Sequence, residues 1–378
     1  MRKLKPALCS QGSLRGWMLA LLVVLASMNT SHADEIRRVE STVPMADWQS
    51  AAELTLPATS NGPVPGVLLI HGATPADMDF TLPKLGGGIR SHILKDIAEH
   101  LSANGYAVLR YNKRYVSGPM QVEMEKYARL TLTELVDDAA AALDVLAAHP
   151  GVDADRLFVF GWSEGSLVGT ALAERRDLAG LILQGPVAEP IQAVFRSQWT
   201  EVTIPFVQDY TGDAKLTGHD IKRVFQSSAG MLVKGYVGIA MDPAHGMANP
   251  RINRKLDQDG DNQVDLETEV MPLVLANMAA YGAEGGLPHL LDQRQALQGQ
   301  PVLLLHGEHD ANVPPRNADA LKAMLGDGAT LKRYPDLGHS LGKAATLAED
   351  DFLPIEQQPL EDMVSWLDAV TGDRHAAR

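Results

Sequence analysis

One nine-residue stretch, Phe158 to Ser166 (Phe-Val-Phe-Gly-Trp-Ser-Glu-Gly-Ser), constrains this chain more than any other. A β-prone apolar run ends in Gly161, Ser163 follows two positions on, Gly165 two further, and the residues beyond are compatible with a helix. A Gly-x-Ser-x-Gly in that setting holds its serine on a tight strand-to-helix turn. Glycine is required on both sides because a side chain at either position would crowd a turn whose centre is strained. The turn lifts the Ser163 hydroxyl above the sheet edge. It also leaves the Glu164 N–H at a helix N-terminus, ready to donate to an oxyanion. Taken alone the pentapeptide is a weak signal, and its meaning depends on the rest of the chain.

The rest alternates strand and helix. Ile36 to Leu56 reads as an edge-strand region, and Val67–Ile70 as a strand buried on both faces that ends in His71-Gly72-Ala73-Thr74. A helix is predicted from about Arg90 to Asn104, stopped by Gly105, and Tyr106–Tyr111 is the next strand. Thr131-x-x-Glu134 is a capping box that opens a helix over Leu132–Ala148, ended by Pro150-Gly151. The serine turn and its helix, to about Arg176, precede the strand Leu181–Gln184. This order implies right-handed crossovers and a mostly parallel, doubly wound sheet covered on both faces. The pattern breaks at Gly185-Pro186, and Val187 to Leu297 reads as helices without a strand. It resumes with Pro301–His306, a helix near Arg316–Leu325, a short strand Leu331–Tyr334 and a last helix near Pro359–Val370. The expected organisation is a catalytic unit over 34–186 and 298–378, with 187–297 inserted as a helical cap. Phe195, Trp199, Phe206, Tyr210, Phe225, Met231, Tyr236 and Met241 are expected to form the cap's own core.

A serine nucleophile needs a base, an acid to orient that base, and donors for the oxyanion. In a doubly wound sheet all must come from loops at the strands' carboxyl ends. Asp310 lies just past the Leu303–His306 run and is the candidate acid, with Glu308, nearer the strand end, as runner-up. His339, in Gly338-His339-Ser340 after the following strand, is the candidate base. The candidate oxyanion donors are the backbone amides of Ala73 and Glu164. His71, His306 and His309 are read as structural or loop-orienting, His71 through a bond to backbone near the oxyanion turn.

The chain order Ser163, Asp310, His339 resembles that of α/β-hydrolase superfamily members. The chain is similar to bacterial exported esterases with prolyl-oligopeptidase-like catalytic domains. The likeness is carried by Leu69-Ile70-His71-Gly72, Ala107 to Arg114, Gly161-Trp162-Ser163-Glu164-Gly165 and the Asp310 and His339 loops, over about 60–186 and 298–370. It implies the α/β-hydrolase fold and cleavage of carboxylic esters through an acyl-enzyme, with no cofactor for catalysis. This chain departs from relatives at Tyr115-Val116, where a glycine often follows the Lys-Arg pair, and at Ala73-Thr74 in the oxyanion turn. Two alternatives stand beside the esterase reading. One is a serine peptidase acting at peptide ends, for which Glu201, Asp209 and Asp213 could hold the substrate terminus; the other is a non-catalytic binding protein on the same scaffold.

The N-terminus carries an address. Arg2, Lys3, Lys5 and Arg15 precede an uninterrupted small or apolar run from Trp17 to Met28, and Ser31-His32-Ala33 supplies a small-x-small cleavage site. Residues 1–33 are therefore expected to be a signal peptide of a periplasmic or secreted protein. The lone cysteine, Cys9, would leave with it, so neither a disulfide nor a thiolate site is expected in the mature chain. Loss of those four basic residues takes the formal charge from −14 to −18, which disfavours nucleic acid and anionic membranes. The expected partner is a small ester or short peptide.

Within the cap, Asp257 to Glu269 resembles an EF-hand calcium loop. Asp257, Asp259, Asp261 and Asp265 fall at positions 1, 3, 5 and 9, and the Gln263 carbonyl at 7. Asn262 stands where glycine is usual and tolerates the left-handed turn needed there. Thr268 occupies position 12, so a flanking acid, Glu269 or Glu267, must close the loop. A structural calcium bracing the cap is expected, against the plainer reading of an acidic solvated turn.

Overall fold

The computed structural model describes residues 36–84, 87–276, 290 and 292–372. The expected signal peptide, Cys9 included, lies outside the described residues, as does 277–289 of the cap.

Eight strands form the central sheet: β1 (Ile36–Met45), β2 (Trp48–Pro57), β3 (Val64–Ile70), β4 (Ala107–Tyr111), β5 (Val152–Trp162), β6 (Gly180–Gln184), β7 (Val302–Gly307) and β8 (Ala329–Tyr334). Their spatial order is β1-β2-β4-β3-β5-β6-β7-β8. β2 runs antiparallel to both neighbours, and every pairing from β4 to β8 is parallel. The edge region is thus a hairpin, and the rest is the expected doubly wound, parallel sheet.

The continuous apolar runs have a direct cause, since successive residues of a parallel strand enter opposite cores. Leu68 and Ile70 join one buried cluster while Val67 and Leu69 join the other. Val159 and Leu304 follow the first pair, whereas Phe158, Phe160, Leu303 and Leu305 follow the second. Among the helices, α1 (Ile93–Ala103) covers the second cluster, and α2 (Leu132–Ala147) and α3 (Glu164–Ala173) cover the first. The α2 start carries the expected capping box, with the Thr131 hydroxyl accepting from the Glu134 N–H and the Glu134 carboxylate accepting from the Thr131 N–H.

The insertion between β6 and β7 contains α4 (Ile191–Ser197), α5 (Ile204–Thr211), α6 (Gly218–Gln226) and α7 (Met231–Ile239), with a wide π turn over Gln198–Thr203. It has a hydrophobic cluster of its own, centred on Trp199 and reached by Ala311 from the β7 loop. Trp199 stacks on Tyr236 with centroids 4.1 Å apart, and Phe206, Tyr210, Phe225 and Met241 pack around the cluster. Met231 does not, being exposed. After β7, α8 (Arg316–Leu325) and α9 (Gln357–Thr371) complete the two faces. No described helix is long and apolar enough to cross a membrane.

Two local expectations fail. The helix expected from Arg90 begins at Ile93, because Ile89–His92 pairs as a short strand with Thr81–Pro83 and the Asp79 carbonyl caps Leu94 N–H at 3.1 Å. The cap also contains strand: Lys215–Leu216 pairs antiparallel with Val264–Asp265, burying Leu216 and Val264 completely. Two residues are too few for an alternation to appear in sequence.

Leu303 is fully buried in mid-sheet. Leu303→Ala should lower unfolding free energy by about 2–5 kcal/mol in urea titration; a loss under about 1 kcal/mol would contradict this packing.

Candidate active site

Ser163 sits between β5 and α3 at φ 56° and ψ −121°, a conformation most residues avoid. Its neighbours explain how the strain is held. A Cβ on Gly161 would lie 2.4 Å from the Gly165 carbonyl oxygen, and one on Gly165 would lie 2.4 Å from the Ile70 carbonyl oxygen. The Ser163 N–H donates to Gln184 O on β6 at 2.9 Å, and the Ser166 hydroxyl donates to Ser163 O at 2.6 Å. The turn is thereby bonded on both sides.

Gly72 in the loop after β3 borders the serine; a Cβ there would be 3.0 Å from Ser163 Cβ. The Glu164 N–H, as the first of α3, has no intrahelical acceptor, and the Ala73 N–H has none among the described residues. These are the two amides expected to face an oxyanion.

The loops after β7 and β8 bring Asp310 and His339 together. His339 Nδ1 lies 2.8 Å from Asp310 Oδ2, and both side chains are almost wholly buried. The pairing assigns the proton to Nδ1 and leaves Nε2 as the free lone pair. Asp310 Oδ1 accepts from the Asn312 and Val313 N–H groups, both at 2.8 Å. Burial opposes the Asp310 charge, yet His339 and these donors hold its carboxyl below the ordinary range. For His339 burial favours the neutral ring, but the Asp310 charge and hydrogen bond outweigh it and raise the imidazole above its ordinary value. Among the described residues no hydrogen bond joins His339 to Ser163, a contact that in free enzymes often tightens only with substrate.

The backbone of His339 is also pinned. Its carbonyl accepts from Trp162 Nε1 and Gln184 Nε2, both at 3.0 Å, and its N–H donates to Asp350 Oδ2 at 2.9 Å. The same Asp350 oxygen accepts from Ala311 N–H at 3.1 Å, so one carboxylate joins the Asp310 loop to the His339 loop. Burial and the nearby Asp310 charge push Asp350 up to about 6. Sequence reasoning missed Asp350, for nothing in Glu349-Asp350-Asp351 sets it apart. The one trace is Gly338, whose added Cβ would fall 2.1 Å from Asp350 Oδ1.

The other candidates lie elsewhere. Glu308 points away to Arg333 at 3.3 Å. His306 Nε2 contacts Val313 O at 2.9 Å, and His309 Nδ1 contacts Ala344 O at 2.6 Å, so both tie down the Asp310 loop. His71 departs from expectation: neither buried ring nitrogen meets a partner at hydrogen-bonding geometry, although Tyr111 and Gly72 backbone is close by. Burial and the Lys113 charge lower its pKa to about 3, which keeps the ring neutral. Glu201 pairs with Arg316 at 2.9 Å, Asp213 caps the Lys215 N–H, and Asp209 is exposed.

In the acidic loop, Asp257, Asp259 and Asp261 each bring a carboxylate oxygen within 4.8 Å of the others. Asn262 has φ 64°, the left-handed turn expected there. Asp265 caps the Glu267 and Thr268 amides, and the Glu269 carboxylate accepts from Gln258 and Asp265 N–H. Lys215 Nζ sits 2.6 Å from Asp261 and 3.6 Å from Asp259.

Residues 86–343 match the protein family described as serine aminopeptidase, S33. Esterase EstD of Thermotoga maritima is 36% identical over 149 residues, 39% of this chain but only 32% of the relative. This chain therefore spans about a third of that relative's length. Among solved structures, a hypothetical protein from Pseudomonas aeruginosa superposes with TM-score 0.52 at 14% identity, covering 91% of this chain and 98% of that one. A putative dipeptidyl aminopeptidase IV from Bacteroides ovatus superposes with TM-score 0.50 at 15% identity, covering 89% of this chain and 36% of that one. At such identities these two structures speak to fold alone.

Asp350 carries charge toward His339 at neutral pH. Asp350→Asn should therefore lower the His339 pKa, read from its imidazole NMR titration; an unchanged or raised value would contradict this electrostatic arrangement.

Proposed function

We propose, for a chain that belongs to the serine aminopeptidase S33 family and is a serine hydrolase, cleavage of carboxylic esters through an acyl-enzyme on Ser163. The observation that carries this reading is the buried 2.8 Å contact of His339 Nδ1 with Asp310, beside a serine on a strained turn. His339 Nε2 takes the Ser163 proton as Oγ adds to the ester carbonyl. The tetrahedral oxyanion meets the Ala73 and Glu164 amides, where fixed donors in a dry site stabilise the charge as it forms. Asp310 keeps the imidazole in the useful tautomer and balances the imidazolium. That imidazolium then protonates the departing alcohol, and water, activated by the same ring, releases the acid.

The family's description supports a second reading, removal of residues from a peptide end. Parallel assays on p-nitrophenyl esters and aminoacyl-nitroanilides separate the two by their kcat/KM. We extend the proposal to the periplasmic or secreted location implied by residues 1–33.

Ser163→Ala should lower kcat on the esters by at least about 10⁴-fold; near-normal turnover would remove the assignment. The reading also fixes a pH dependence. His339 must be neutral to act, and its pKa is raised, so kcat/KM should fall on acidification through a pKa above the ordinary histidine value. A profile flat between about pH 5 and 9 would contradict that role.

We also propose a structural calcium at Asp257, Asp259, Asp261, Gln263 and Asp265, closed by Glu269. The three clustered aspartates support it, and the Lys215 ammonium now resting on two of them would have to leave. Added calcium should raise Tm by several degrees and a chelator should reverse this; no shift with either would leave the loop as a lysine-neutralised turn.

A further inference from the structure

We infer that Lys113 is a positioning residue that aims both oxyanion donors at once, an inference that rests on the acyl-enzyme reading above. Lys113 follows β4 and is almost wholly buried. It donates to the Gly72 carbonyl, lies 2.7 Å from Glu164 Oε2, and reaches the Tyr127 hydroxyl at 3.4 Å. Three N–H groups thus meet three oxygens, all that an ammonium can satisfy. Tyr127 in turn donates to the Ala73 carbonyl at 2.8 Å.

The geometry matters through the planar peptide. In a trans peptide the carbonyl and the following N–H point in opposite directions, and no described peptide bond here is cis. Drawing Gly72 O toward Lys113 therefore directs the Ala73 N–H away from it, and the Tyr127 bond to Ala73 O fixes the next plane. The second donor is the Glu164 N–H, and the Glu164 side chain, also buried, is clamped by the same ammonium. One cation thus holds a peptide of the β3 loop and the first residue of α3 in fixed relation. Hydrogen bonding to Gly72 O also polarises that peptide and strengthens its N–H as a donor. Lys113 itself is no proton carrier. Burial disfavours its charge, but Glu164 outweighs this and keeps it protonated throughout the working range.

A plainer role would be neutralisation of the buried Glu164, and the two make different predictions. Lys113→Met leaves Glu164 unpaired and Gly72 O undirected, whereas Lys113→Met/Glu164→Gln removes both charges and still leaves Gly72 O undirected; both variants lose the contact to Tyr127 alike. Turnover of p-nitrophenyl butyrate at 25 °C is measured per active site titrated with a fluorophosphonate, alongside Tm, with Ser163→Ala as control. If Lys113 aims the donors, both variants lose roughly 10- to 100-fold in kcat, less than the roughly 100- to 1000-fold cost of deleting one oxyanion donor, because the amides remain but are no longer aimed. KM then stays within about threefold, since the donors act on the transition state. The double variant recovers Tm and not kcat. Recovery of kcat in the double variant to within about threefold of wild type would overturn the inference, as would an unchanged kcat in Lys113→Met or a loss confined to KM. If Lys113→Met fails to fold, the charge-balanced double variant alone decides. An active Ser163→Ala protein would instead remove the nucleophile reading beneath it.

Discussion

The molecule depends on two backbones approaching at Ser163 more closely than side chains would allow. The Ile70 carbonyl oxygen, at the end of β3, lies 2.4 Å from where a Cβ on Gly165 would be, and the Gly165 carbonyl oxygen 2.4 Å from where one on Gly161 would be. Only glycine permits both approaches, and together they press the start of α3 against two strand ends. Ser163 then has no relaxed conformation available and projects at φ 56° from the carboxyl edge of the sheet. The rest of the site is arranged around that fixed point: Gly72 beside it, Gln184 holding its amide, and the β7 and β8 loops carrying Asp310 and His339.

Much of this was legible in sequence because it rests on local rules. Apolar runs that feed two cores, the capping box at Thr131 and glycines flanking a serine each leave a signature. The positions of Asp310 and His339 followed because a parallel sheet collects its loops at one edge. What escaped reading is long-range. Asp350 gains its place by binding amides at His339 and Ala311, and Lys113 by meeting carbonyl and carboxylate groups from two other elements. Neither residue belongs to a periodic pattern. Likewise the two-residue strand pair in the cap and the early strand at Ile89–His92 are set by tertiary partners rather than by propensity.

The segment around Asp350 also links the cap to the chemistry. Gly230 N–H, at the start of α7, donates to Ala348 O, two residues before the carboxylate that joins the Asp310 and His339 loops. Two residues after it, Phe352 packs on His339 and Trp162 with centroids 5.6 and 5.9 Å away. Arg316 of α8 reaches Glu189 and Glu201, and Gln198 reaches Asn312 O. The cap and the Asp310 and His339 loops thus meet at one short segment.

Acylation of Ser163 can be trapped directly. The protein is treated with a fluorophosphonate, weighed intact and then mapped by peptide mass spectrometry. One adduct per chain is expected, on the peptide containing Ser163, formed more slowly as pH falls and His339 protonates. No adduct, or a single adduct on another residue, would contradict it.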